Sequence, residues 1–237
     1  MVDVNAFSLV ATPLNGAAAL SYQLFDNGTL TATDPTGEVI GEITYRDHLI
    51  VGSLALPLGS SMAVGASYKL FQERIDCRGA CGGAERVTAY HAVDIGYRFS
   101  PQRHPALQFG VVAANIAVGT PSDENAGALP GRLHVGLAYD VLRPFWGDDA
   151  LGLHLAVDLQ DELRRLGSVV PSVGVELDMQ QALFLRAGYT LGDGLVAGAS
   201  IGVELRYDRF DIGVSRSFVN TGFDEDEPFQ ITFSIRF

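Results

Sequence analysis

Strict alternation of apolar and polar residues constrains this chain more than any other feature. From Arg132 to Val141, Leu133, Val135, Leu137, Tyr139 and Val141 alternate with Arg132, His134, Gly136, Ala138 and Asp140. From Leu151 to Gln160, Leu151, Leu153, Leu155, Val157 and Leu159 alternate with Gly152, His154, Ala156, Asp158 and Gln160. At the C-terminus Phe229, Ile231, Phe233, Ile235 and Phe237 alternate with Gln230, Thr232, Ser234 and Arg236. Successive side chains of a β-strand point to opposite faces, so each segment presents one wholly apolar face and one polar or small face.

Reading that period along the chain predicts strands at 6–12, 17–25, 47–57, 62–74, 87–99, 106–116, 131–142, 151–160, 170–178, 182–191, 195–206, 209–218 and 228–237. Most have about the 9–11 residues that a tilted strand needs to cross a bilayer. The uncharged stretches Leu49–Tyr68 and Pro105–Ser122 are long enough for a membrane helix. Their glycines and the turn-like Leu58-Gly59-Ser60-Ser61 favour strand pairs instead.

The connections alternate in length. Short ones fall at Asn15-Gly16, Gly59–Ser61, Ser100–Pro105, Arg143–Ala150, Met179–Gln181 and Tyr207-Asp208; longer ones at Asp26–Arg46, Ile75–Arg86, Ala117–Pro130, Asp161–Val169 and Val219–Glu227, with Leu191–Gly194 the one tight member of that second set. Turns on one rim and loops on the other are the pattern of a transmembrane antiparallel up-and-down β-barrel. Tyr97, Phe99, Tyr139, Phe145, Trp146, Tyr207, Phe210 and Phe237 fall near the turn rim, and Tyr68, Tyr189, Phe218 and Phe229 near the loop rim, as aromatic girdles would. The expectation is a single barrel domain over residues 1–237 in the bacterial outer membrane.

A soluble β-sandwich or ligand-binding barrel also alternates, with its apolar face inward. The polar face here carries Asp94, Arg98, Arg132, His134, Asp140, His154, Asp158, Glu176, Arg186, Glu204 and Arg206, which suits a wet lumen better than a packed core. With 16 basic against 28 acidic residues the net charge is −12, which argues against nucleic acid and against electrostatic docking on anionic lipid.

Several pieces resemble the PorV/PorQ family of outer-membrane proteins, related to the FadL-type long-chain fatty acid transporters. They are Tyr68-Lys69-Leu70, Val93–Arg98, Val112–Ile116, Leu129–Leu133 through Ala138-Tyr139, and Leu185–Tyr189. The ending Phe233-Ser234-Ile235-Arg236-Phe237 resembles the strand signal read by the barrel-assembly machinery. The resemblance implies a 14-stranded barrel with a periplasmic plug segment, acting in passage of a hydrophobic small molecule or in carrying secreted protein cargo. Thirteen strands are legible; either a first strand and plug lie upstream of Met1 or one strand is miscounted. A general diffusion pore is the alternative.

Chemistry is sparse. Cys77 and Cys81 form C-x3-C in a glycine-rich loop, read as a local disulfide in an oxidising compartment, with a redox pair as the weaker reading. That loop has no His, so zinc is not expected there. A turn near Trp146 would set His134 beside Asp158 and Asp140 beside His154; the preferred reading is a lumen-hydrating polar ladder, with metal binding or proton relay as the alternative. Glu176 is expected diagonal to Arg186, and Arg206 to pair with Asp211 across a turn. The acidic run Phe223–Glu227 lacks calcium-loop spacing and reads as a solvated loop, open to bridging lipopolysaccharide through divalent ions. Ser215 and Ser217 have no His on a neighbouring strand, and there is no G-x-S-x-G, P-loop or dinucleotide fingerprint. No catalytic role, cofactor or metal is expected.

Overall fold

The computed structural model describes residues 3–80, 86–119, 129–142, 150–192, 197–219 and 229–236, without the side chains of Leu14 and Val219. It is almost wholly β. Thirteen strands follow in chain order: β1 (Asp3–Ala11), β2 (Ala17–Thr33), β3 (Val39–Leu58), β4 (Met62–Gly79), β5 (Arg86–Phe99), β6 (Leu107–Ala117), β7 (Arg132–Asp140), β8 (Leu151–Glu162), β9 (Arg165–Met179), β10 (Leu183–Thr190), β11 (Gly198–Tyr207), β12 (Phe210–Val219) and β13 (Phe229–Ile235). Each pairs with its neighbours in sequence, giving one up-and-down sheet in the order β1 to β13. Leu49–Tyr68 falls in β3, a short turn and β4, and the described part of the stretch from Pro105 is mostly β6; no helix among the described residues is long and apolar enough to cross a membrane.

The expected closed barrel is met only in part. Among the described residues no ladder joins β1 to β13, so the sheet is open with those two strands as its edges. Alternation dictates strands and neighbours; closure needs the two edges to meet, which no local pattern encodes.

Contacts divide the chain into two compact units: residues 1–59, 63–97 and 112–132, and residues 60–62, 98–111 and 133–237. In the first unit the β2–β3 hairpin is longer than predicted, and the expected loop Asp26–Arg46 is mostly strand. Thr29-Leu30-Thr31-Ala32-Thr33 is rich in residues that favour strands, and the Thr29 and Thr44 hydroxyls meet at 3.0 Å. The register slips between Asp26 and Thr29, where Gly28 adopts φ 79. The loop predicted from Ile75 is likewise strand as far as Gly79.

One face of β3 in this unit is Leu58, Leu56, Leu54, Gly52 and Ile50, then His48 and Arg46. From Ile50 to Leu58 that apolar run is about 26 Å long at ~3.3 Å per residue. Its upper limit is marked by Tyr22, whose hydroxyl lies 2.8 Å from His48 Nδ1, and then by the Arg46–Asp26 ion pair at 3.1 Å. Tyr68 and His91 repeat the arrangement on β4 and β5, at 2.6 Å.

In the second unit, the registers from β8 to β13 place Leu155, Val175, Ala187 and Ile201 in one row of the apolar face, with Val203, Leu205, Ile212, Val214, Ile231 and Phe233 on the same side. Phe210 stacks on Phe233 with ring centroids 6.1 Å apart. Arg216 is a charge on this face, its guanidinium 5.3 Å from the Phe218 ring. The predicted loop Asp161–Val169 is a tight turn, since β8 and β9 pair as far as Glu162 and Arg165.

Candidate functional site

The polar face of the second unit is a set of rows fixed by register. Gly152, Asp178, Phe184, Glu204 and Gly213 stand opposite one another in succession from β8 to β12; the next row is His154, Glu176, Arg186, Gly202 and Ser215. Arg186 is therefore directly opposite Glu176, where the sequence had suggested a diagonal.

These rows carry an alternating ionic chain. Arg186 Nε donates to Glu176 Oε2 at 2.5 Å, and Arg186 Nη1 to Glu204 Oε2 at 2.7 Å. Arg206 Nη2 donates to Glu204 Oε1 at 3.0 Å, and its Nε to Asp211 Oδ1 at 3.2 Å. Arg236 Nη2 closes the series on Asp211 Oδ1 at 3.1 Å. Three guanidinium groups thus alternate with three carboxylates. Phe184, only 7% exposed, sits beneath the chain, with the Arg206 guanidinium 4.5 Å and the Arg186 guanidinium 5.5 Å from its ring.

Beside it lies a histidine–aspartate array. His134 Nδ1 is 3.3 Å from Asp158 Oδ1. His154 lies between two carboxylates, with Nδ1 4.0 Å from Asp140 Oδ2 and Nε2 3.4 Å from Asp178 Oδ2. Asp178 is 9% exposed and also accepts the Gln181 backbone N–H at 3.1 Å. It fills the space above Gly152, where a Cβ would come within 2.0 Å of its Oδ2. The described residues hold no group of three or more His, Cys, Asp or Glu side chains able to ligate a metal ion. A cavity of about 720 Å³ opens along this face, between the ionic chain and a wall of small and hydroxyl-bearing residues of β11, β12 and β13.

The first unit has a smaller polar cluster. Lys69 Nζ is 2.8 Å from Asp94 Oδ2 and donates to Asn115 Oδ1 at 2.9 Å, while Asp94 Oδ1 accepts the Asn115 backbone N–H at 2.8 Å. Asn115 has φ 55, left-handed inside a strand. Val112 lines a recess beside Asp94.

Arg98 and Arg132 make no ion pair among the described residues. Cys77 lies near the end of β4; Cys81, Phe237, Phe145, Trp146 and the acidic run Phe223–Glu227 lie outside the described residues. Phe233 and Ile235 are exposed on β13. Sequence reasoning missed Asp178, Phe184, Arg236, Lys69 and Asn115. Asp178 and Arg236 sat in the polar phase and were legible; Phe184 was an apolar residue in that phase and gave no hint of a charged neighbourhood.

At the hairpin tips, two carboxylates are held by turns. The Thr36 hydroxyl, then the Glu38 amide, hold Asp34 below the ordinary carboxylate range. The Gly167 amide does the same for Asp161.

No protein-family model matches the chain, and no curated protein matches it.

Proposed function

We propose that this chain forms the wall of an outer-membrane β-barrel of the PorV/FadL-like type that conducts a solute across the membrane and catalyses no reaction. The observation that carries this is the pairing of faces on single strands. On β11, Ile201, Val203 and Leu205 are exposed and apolar, while Glu204 and Arg206 between them join a continuous ionic chain. In a soluble sandwich the apolar side would be covered by a second sheet. In a bilayer it meets lipid, and the charged side meets water. The apolar run of β3, about nine residues from Ile50 to Leu58, matches the length that a tilted strand needs to cross a bilayer. On this reading the ending at Phe233, Ile235 and Phe237 addresses the barrel-assembly machinery, and the Cys77–Cys81 pair closes as a disulfide on the loop side.

Folding the protein into detergent and floating it with phospholipid vesicles tests the proposal. Co-flotation together with a fast-migrating unboiled gel band supports it. A protein that stays soluble without detergent and shows no heat-dependent shift is a soluble β-protein.

One observation favours a second role. The β2–β3 hairpin continues beyond His48 for residues 26–46, with its own polar contacts, and would stand clear of the lipid. That projection offers a surface to secreted protein cargo. Crosslinking from Thr31 in cells that recovers no protein partner would count against it.

A further inference from the structure

Ser200 on β11, Ser215 and Ser217 on β12, and Thr232 and Ser234 on β13 line one side of the second unit's cavity. None of these hydroxyls has a protein hydrogen-bond partner among the described residues. Several hydroxyls elsewhere on the polar face are paired: Ser172 meets Thr190 at 3.0 Å on β9 and β10. Ser8 meets Ser21 at 2.9 Å and Ser53 meets Ser67 at 2.8 Å in the first unit. The cavity therefore concentrates hydroxyls free to bond something other than protein.

The facing charges are already committed. Arg186 is held by Glu176 and Glu204, and Asp211 by Arg206 and Arg236. A charged ligand would have to displace one member of a matched pair and leave the other uncompensated. A hydrocarbon chain would strip water from hydroxyls and ions and return no hydrogen bonds. An uncharged polyhydroxyl molecule suffers neither penalty. Its hydroxyls donate to the free lone pairs of Glu176 and Glu204 and exchange hydrogen bonds with the serines. Gly188 and Gly202 leave the intervening surface low, so a ring can approach the sheet. A volume of about 720 Å³ lies within the usual range for small-molecule sites.

The geometry points to a binding site for a neutral sugar or polyol on the polar face of β8–β13. This inference rests on the membrane-barrel reading and narrows its solute to one that is hydrophilic and uncharged.

The test is saturation-transfer NMR on full-length protein folded in lauryldimethylamine oxide, which has no sugar headgroup. Sucrose is the neutral probe, and gluconate, arginine and laurate are the comparisons. The gel shift establishes folding for every variant. Transfer to sucrose exceeding that to gluconate and arginine, and roughly tenfold weaker binding in the Ser200→Ala, Ser215→Ala double variant, is the expected result. Ser172→Ala, which alters an already paired hydroxyl outside the cavity lining, is expected to leave sucrose binding unchanged. The inference is overturned by absence of sucrose transfer in folded protein, by equal transfer in the double variant, or by displacement of sucrose with laurate. Vesicle flotation separates the two levels. Protein that floats but ignores sucrose removes only the sugar site; protein that does not float removes the barrel reading and the site with it.

Discussion

Arg186 and Glu204 face each other diagonally between β10 and β11, with Nη1 2.7 Å from Oε2, and each also holds a second partner of opposite charge. The pair lies inside a six-membered ionic chain that runs Glu176, Arg186, Glu204, Arg206, Asp211, Arg236. Removing an inner member should therefore cost more than removing an end.

Arg186→Leu leaves Glu176 and Glu204 facing each other without a cation between them. The side chain is partly exposed, so water screens the loss to about 1–2 kcal/mol. Arg236→Leu, at the end of the chain, should cost about half as much. The temperature at which the unboiled gel band disappears measures both; equal shifts would mean that the pairs act independently.

Gly152→Ala should be harmful and Gly174→Ala harmless, although both glycines lie on the same face. A Cβ at Gly152 meets Asp178 Oδ2 at 2.0 Å, whereas at Gly174 the nearest atom is 3.8 Å away. Accommodating the methyl requires Asp178 to leave His154 and the Gln181 amide, a cost of about 1–3 kcal/mol. Chemical denaturation in detergent distinguishes the two variants.

Asn115 combines a left-handed backbone with a side chain held by Lys69. Asn115→Gly removes the hydrogen bond and keeps the backbone unstrained; Asn115→Val removes the bond and adds strain. The valine variant should be less stable than the glycine variant by about 1 kcal/mol or more. Reversal of that order would show that the left-handed backbone at Asn115 does not set the cost of substitution there.

Acid should loosen the hairpin tips before the strands. Asp34 and Asp161 have folded values lowered below 3.8, so their contribution is fully present above the ordinary carboxylate value and is lost as pH falls through the folded value. Amide exchange at Thr36 and Glu38, and at Gly167 and Ser168, should lose protection in that acidic window while β10 and β11 retain theirs. Unchanged tip protection on acidification would contradict this assignment.

The period-two pattern was sufficient to find each of the strands among the described residues, because a one-residue slip would turn a whole apolar set to the other face. The same register logic anticipated His134 beside Asp158. Other features were not legible. Thr29 to Thr33 looked like loop because its alternation is among threonines and alanine, with little apolar contrast. Asn115 takes a left-handed backbone inside β6, which composition does not announce. Phe184 is apolar in a polar phase, and only the two arginines above it explain its place. Closure depends on edges far apart in sequence, beyond any local pattern.

The assignment of faces is tested most directly on β11. Nitroxide labels are placed singly from Ala199 to Tyr207 in a Cys77→Ser, Cys81→Ser background, in phospholipid bilayers. Collision rates with oxygen, which concentrates in lipid, are compared with those for a water-soluble nickel chelate. Sites 199, 201, 203 and 205 should favour oxygen, and 200, 202, 204 and 206 nickel, with period two along the strand. Odd-numbered sites that meet the nickel chelate as readily as the even ones would contradict a membrane-facing apolar wall.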